Sequence, residues 1–219
     1  ICAGTSVTFT AGGGTGYNFR VNGAGVQNGA SNTYTTSSLT NNQSVDVVVT
    51  NSNGCVATSA VITISVNALP TPVISSSDTD NKFCSGTSVT FTAGGGATYN
   101  FRVNGTSVQN GSSNTYTTTS LTNNQVVDVI VTNSNGCSAT SSGITNTVYA
   151  LPSPTLVSSD ADNRFCAGTS VTFTAGGGTS YNFRVAGSSV QSGASATYTT
   201  SSLVNNQVVD VIVTNSNGC

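Results

Sequence analysis

The 219-residue chain contains no histidine, methionine or tryptophan, and only 5% of its residues are charged. Each shortage closes off a class of function. Without histidine, the many Ser and Thr hydroxyls have no neighbouring base to make a nucleophile of them. No carboxylate pair sits within a motif and Lys82 is the sole lysine, so a catalytic centre is not expected. Six cysteines with no histidine do not fit a zinc site. The net charge of −2 supplies no basic face, which argues against nucleic acid as a partner. No apolar run approaches membrane-spanning length, so membrane insertion is not expected either. The glycine run Gly94-Gly95-Gly96 is followed by neither a helical pattern nor a lysine, as a phosphate cradle would require. No cofactor is implied.

What the chain does contain is itself, almost three times. The stretch Cys84–Cys137 recurs with a few substitutions from Cys2 to Cys55 and from Cys166 to Cys219. Cys2, Cys84 and Cys166 are spaced by a constant 82 residues, as are Cys55, Cys137 and Cys219. A fixed period of this size marks a tandem array of one small unit. The expected boundaries are 1–68 for a first repeat lacking its first strand, 69–150 for a complete middle repeat, and 151–219 for a third lacking its last strand. The chain reads as an internal slice of a longer array, for which no signal peptide is expected.

Helical periodicity is absent, and Val, Thr, Tyr and Phe dominate between clusters of Gly, Asn and Ser, the pattern of short strands in an all-β unit. In the middle repeat, strands are expected over Thr71–Ser77, Ser88–Ala93, Thr98–Asn104, Ser107–Gln109, Asn114–Leu121 and Val126–Thr132, with a last one from Cys137 toward Val148. Alternation of period two puts Val89, Phe91 and Ala93 on one face, then Tyr99, Phe101 and Val103, and then Val127, Val129 and Val131. Tyr116 and Leu121 are expected to point inward, and Asn104-Gly105 signals a tight hairpin. Ala68-Leu69-Pro70 and Ala150-Leu151-Pro152 read as short stiff linkers.

Seven short strands in this order resemble the immunoglobulin-like sandwich. Ser88–Ala93 looks like that family's B strand with Ala93 in place of the usual cysteine. Phe101 sits where the family carries its core tryptophan, and Val127–Asn133 looks like its F strand with Val129 in place of the second cysteine. The family's internal disulfide is thus replaced by an Ala/Val pair. Cys-x-Gly-Thr before the B strand and Asn-Gly-Cys after the F strand resemble a narrower group, the bacterial Ig-like repeats of large secreted surface proteins in the Bacteroidetes. Gliding-motility-type adhesins exported by type IX secretion are among these. The resemblance implies an all-β fold of tandem immunoglobulin-like sandwiches in an extended array, on the extracellular cell surface.

Paired cysteines in a small β unit suggest disulfides and an oxidising compartment. In an immunoglobulin-like topology a residue just before the B strand and one just after the F strand lie at opposite ends of the domain. A six-residue strand spans roughly 20 Å, whereas disulfide-linked Cα atoms lie within about 7 Å. The topology therefore favours links between repeats, Cys2–Cys137 and Cys84–Cys219, with Cys55 and Cys166 pairing outside the slice. Links within repeats, Cys2–Cys55, Cys84–Cys137 and Cys166–Cys219, remain the alternative, as do free thiols.

Among other candidate sites, Arg20, Arg102 and Arg184 face Asp46, Asp128 and Asp210 as cross-strand ion pairs. Asp78, Asp80, Asp160 and Asp162 place oxygens in turns, although calcium needs six to eight ligands, and a solvated acidic turn is the default. Val126 and Ile130, with Ser44 and Val48 before them, form a small outward apolar strip suited to lateral self-association in a filament. The expected function is a structural stalk whose partners are neighbouring repeats of the same chain and which projects a distal binding region. The alternative is a multivalent module for surface polysaccharide.

Overall fold

A computed structural model describes residues 1–219, and every regular element in it is a β-strand. The chain forms two compact units. One comprises Ile1–Ser75, Thr92–Tyr116 and Val127–Gly143; the other comprises Ser76–Phe91, Thr117–Val126 and Ile144–Cys219. The first unit holds the whole first repeat, the second holds the whole third repeat, and the middle repeat contributes to both.

The third repeat shows the architecture within a single unit. Thr155–Ser158, Val171–Gly176 and Thr197–Thr200 form one antiparallel sheet. Ser188–Gly193, Ser180–Val185 and Val209–Thr214 form the other. Val171, Phe173, Ala175, Tyr181, Phe183 and Val213 are buried in one cluster, with Leu156, Tyr198 and Leu203 packed against it. The first and second strands pair in one sheet while the third and the last pair in the other. That is the strand order of an immunoglobulin-like sandwich.

In the first unit the same second sheet appears twice. The first repeat orders it Ala24–Gly29, Gly16–Val21, Ser44–Thr50, Val56–Thr58, with Ile62–Thr63 also on Ser44–Thr50. The middle repeat orders it Thr106–Gly111, Thr98–Val103, Val126–Thr132, Ser138–Thr140. Alternation places the side chains as expected: Val127, Val129, Val131 and Phe101 are fully buried, and Ala93 and Tyr99 nearly so. Asn104 and Gly105 both take positive φ, 49° and 79°, the pair of left-handed residues that a type I′ hairpin demands. The tyrosine hydroxyls of Tyr17, Tyr99 and Tyr181 donate to the carbonyls of Gly14, Gly96 and Gly178, tying each glycine turn to the strand that follows it.

The structure departs from the sequence reading at several strands. The hairpin strand expected at Ser107–Gln109 extends over Thr106–Gly111. The strand expected over Asn114–Leu121 stops at Thr118, because the Thr118 hydroxyl accepts the Ser120 amide and turns the chain. The last strand is broken into Ser138–Thr140, Ile144–Thr145 and Thr147–Tyr149. At the first break the Ser141 hydroxyl accepts the Val129 amide, taking the place of a backbone carbonyl in the ladder. A further strand, Lys82–Cys84, runs parallel to Thr147–Tyr149. It was not foreseen, and it carries one of the repeating cysteines.

Candidate functional site: the disulfide staples

Two turns recur in every repeat and meet in pairs. The first precedes the B strand. In the middle repeat, Cys84 pairs with Tyr149 in the parallel ladder, and the Ser85 amide donates to the Tyr149 carbonyl. The first repeat does the same with an isolated bridge from Cys2 to Asn67. The second turn follows the F strand. There Asn133 accepts from the amides of Asn135 and Cys137 through its side-chain oxygen, closing the loop Asn133–Cys137. Asn51 and Asn215 build identical turns before Cys55 and Cys219.

These turns are joined by disulfides of one geometry. Cys2 is linked to Cys137 and Cys84 to Cys219, each with Cα atoms 5.6 Å apart and each spanning 135 residues of sequence. Both links run from one repeat to the next. The Asn that shapes the second turn also reaches across the junction. The Asn133 side-chain amide donates to the Ala68 carbonyl at 2.9 Å, and the Asn215 amide donates to the Ala150 carbonyl at 2.9 Å. Each junction is therefore held by one covalent bond and one hydrogen bond to the linker backbone. Cys137 is fully buried and its partner Cys2 half-buried. Cys55 and Cys166 occupy the two matching positions, and both are free and exposed.

The other candidates fall into structural places. Arg20, Arg102 and Arg184 each donate through Nε and one terminal nitrogen to both carboxylate oxygens of Asp46, Asp128 and Asp210, at 2.6–2.7 Å. This bidentate fork is the strongest geometry such a pair offers. Hydrogen bonds from Arg20 hold the Asp46 carboxyl below its ordinary pKa, and the same bonds raise the Arg20 guanidinium; partial desolvation opposes both. A carboxylate whose folded pKa is depressed stabilises the fold above its unfolded pKa and loses that contribution as pH falls through the folded value. An NMR titration is expected to place the Asp46 midpoint below that of an unfolded reference peptide. Arg20→Ala is expected to bring it back up.

Asp78 and Asp80 both accept the Lys82 amide, and Asp160 and Asp162 both accept the Arg164 amide, so one oxygen of each carboxylate serves to close its turn. Val126, Ile130 and Val48 are half-buried on the outer side of their sheets, while the matching Val208 and Ile212 of the third repeat are exposed. Tyr149 is half-buried in the parallel ladder beside Cys84.

No protein-family profile matches the chain, and no curated protein matches it. Solved structures with related architecture do. The fibronectin(III)-like modules of Clostridium thermocellum CbhA match at 14% identity and a TM-score of 0.42, over 68% of this chain and 88% of theirs. A set of titin domains matches at 15% identity and 0.33, over 100% and 90%. A Bacteroides ovatus protein of a mixed-linkage glucan utilisation locus, solved with a heptasaccharide, matches at 13% and 0.27, over 99% of this chain and 59% of its own. At these scores the likenesses carry no functional inference. The immunoglobulin-like assignment rests on the strand order itself.

Proposed function

We propose that this chain is part of the stalk of an extracellular surface filament or adhesin, with disulfide-stapled repeats that project a distal binding region. The observation that carries the reading is the staple: the same two turns, in the same geometry, link consecutive repeats twice in one chain. Persistent disulfides belong to oxidising compartments, which supports export. The resemblance of the cysteine motifs to Bacteroidetes surface repeats supports type IX secretion as the route. Closing a loop of this length contributes about 5 kcal/mol in the chain-entropy model. An 80-residue domain has only a modest core, so a contribution of that size matters. Near-identity of the repeats supports spacing as the task, since reach grows by adding copies and needs no distinct pocket. The polysaccharide-binding alternative has less support, because all seven Tyr and all eight Phe are buried or half-buried.

Mass-spectrometric mapping of non-reduced protein tests the reading. Peptides linking Cys2 to Cys137 and Cys84 to Cys219 are the expected products. Recovery of Cys2–Cys55 and Cys84–Cys137 instead would leave the repeats joined only by their linkers and remove the basis for a stapled stalk. Reproducible saturable binding on a glycan array would promote the alternative.

A further inference from the structure

In an unfolded chain the wrong cysteines meet first. Cys55 and Cys84 are 29 residues apart, as are Cys137 and Cys166, and 53 residues separate Cys2 from Cys55 and Cys84 from Cys137. Both observed links span 135. Encounter within a flexible chain falls roughly as the −3/2 power of the separation, so neighbouring cysteines meet about four to ten times as often as the observed partners. The two links also interleave. Cys84 lies inside the loop closed by Cys2 and Cys137, and Cys137 lies inside the loop closed by Cys84 and Cys219. Proximity along the chain does not produce this pattern, so the folded repeats must select it.

The selecting element is the short linker that ends a repeat, which docks two cysteine turns on two successive carbonyls. The Ala3 amide donates to the Asn67 carbonyl, beside the bridge from Cys2 to Asn67. The next carbonyl, that of Ala68, accepts the Asn133 side-chain amide. Asn133 also closes the turn of Cys137, whose sulfur lies 3.9 Å from the Asn67 carbonyl oxygen. The second linker repeats the arrangement. The Ser85 amide, next to Cys84, donates to the Tyr149 carbonyl. The Asn215 side-chain amide donates to the Ala150 carbonyl while its oxygen closes the turn of Cys219. Each linker thus gathers the cysteine before the B strand of its own repeat and the cysteine after the F strand of the next. None of these hydrogen bonds needs the sulfur–sulfur bond.

We infer that each linker end is a template for disulfide formation, so that the staples form by oxidation of repeats that have already folded. Asn133 and Asn215 are positioning residues: each holds one thiol where the other, fixed at the preceding carbonyl, reaches it. The reaction consumes a disulfide-bearing oxidant, RSSR. One cysteine thiolate attacks RSSR, forming a mixed disulfide and releasing the first RSH. The second cysteine then attacks the mixed disulfide and releases the other, so two protons and two electrons pass from the cysteine pair to RSSR. Oxidation before folding yields neighbouring links, which thiol–disulfide exchange must undo. The reaction that has to supply the finished chain is therefore oxidation of folded dithiols, with exchange required wherever oxidation comes first. The inference rests on the two links and holds whether or not the repeats act as a stalk.

The full chain, reduced and unfolded, is tested in two arms. In the first, denaturant is removed and oxidised glutathione is added afterwards; in the second the order is reversed and no free thiol is added. Peptide mapping without reduction is expected to find Cys2–Cys137 and Cys84–Cys219 together in most molecules of the first arm. The second arm should hold both in at most about one molecule in fifteen, since six cysteines allow 15 complete pairings and one of them contains both links. A trace of thiol is expected to raise the second arm to the level of the first. Asn133→Asp keeps the oxygen that closes the Cys137 turn but loses the donor to Ala68. With its fold checked by circular dichroism, the variant is expected to slow formation of Cys2–Cys137 in the first arm about fivefold, the effect of one hydrogen bond. Cys84–Cys219 in the same molecules should keep its rate, and Asn215→Asp should reverse the pattern. Equal yields in the two arms, or an unslowed Cys2–Cys137 link in Asn133→Asp, overturns the template alone. Links within repeats in the first arm would overturn it together with the stapled stalk.

Discussion

Pulled from its two ends with both staples intact, the chain is expected to reach only about a quarter of the length it reaches when reduced. The shortest covalent path enters at Cys2, crosses to Cys137, returns along the middle repeat to Cys84, and crosses again to Cys219. At an extended reach of 3.3–3.6 Å per residue, the stretch between Cys84 and Cys137 allows about 180 Å, against about 750 Å for the whole chain. Single-molecule force spectroscopy with handles at the termini, Cys55 and Cys166 capped, measures this directly. Reductant is expected to release the hidden length.

The fully linked length alone does not identify the pairing, because links within each repeat would also shorten the chain to about 200 Å. A single substitution separates them. With Cys137→Ser the staple from Cys84 to Cys219 remains, and the path becomes the run from Ile1 to Cys84, about 290 Å. Under within-repeat pairing the same substitution would free one whole repeat and give about 390 Å. The smaller value supports links between repeats, under which the intact chain lengthens no further under load than its middle segment allows.

How far the sequence announced this depends on the residue. The 82-residue step of the cysteines and the period-two apolar residues of Val126–Thr132 were legible because burial on one face of a strand leaves a pattern in the chain. Asn104-Gly105 was legible because few other pairs adopt two left-handed conformations. In the third repeat Ala186 takes φ 50° at the position where the other two have Asn22 and Asn104, so the hairpin tolerates a less suited residue once its strands are packed. The parallel ladder of Lys82–Cys84 with Thr147–Tyr149 was not legible. Each strand is three residues long, too short for alternation, and the pairing joins segments more than sixty residues apart. The broken last strand was missed for a related reason. Ser141 supplies a side-chain acceptor in place of a backbone one, and no local pattern distinguishes that serine from the many on the surface. Topology and distance favoured links between repeats but left links within them open, whereas the amide of Asn133 reaching the Ala68 carbonyl had no signal beyond its recurrence.

Phe183→Ala is expected to cost the third repeat about 3–5 kcal/mol, the usual range for truncating a buried aromatic. The ring is fully buried, and its centroid lies 5.7 Å from that of Tyr198. It is also central: Val171, Phe173, Ala175, Tyr181 and Val213 share its cluster, so the cavity borders both sheets. Marginal domains have about 5–15 kcal/mol in total, and this one has few alternatives, since its only ion pair, Arg184–Asp210, is substantially solvent-exposed. Hydrogen exchange resolved by peptide is the appropriate readout. Faster exchange is expected throughout the strands Ser180–Val185 and Val209–Thr214, with the first repeat unchanged, because Phe183 belongs to a core that the first repeat does not share. The Cys84–Cys219 link should hold the loosened repeat in place, so that reductant added to the variant accelerates exchange further. Equal acceleration in the first and third repeats would instead mean that the repeats unfold as one cooperative body, with the staples transmitting instability rather than containing it.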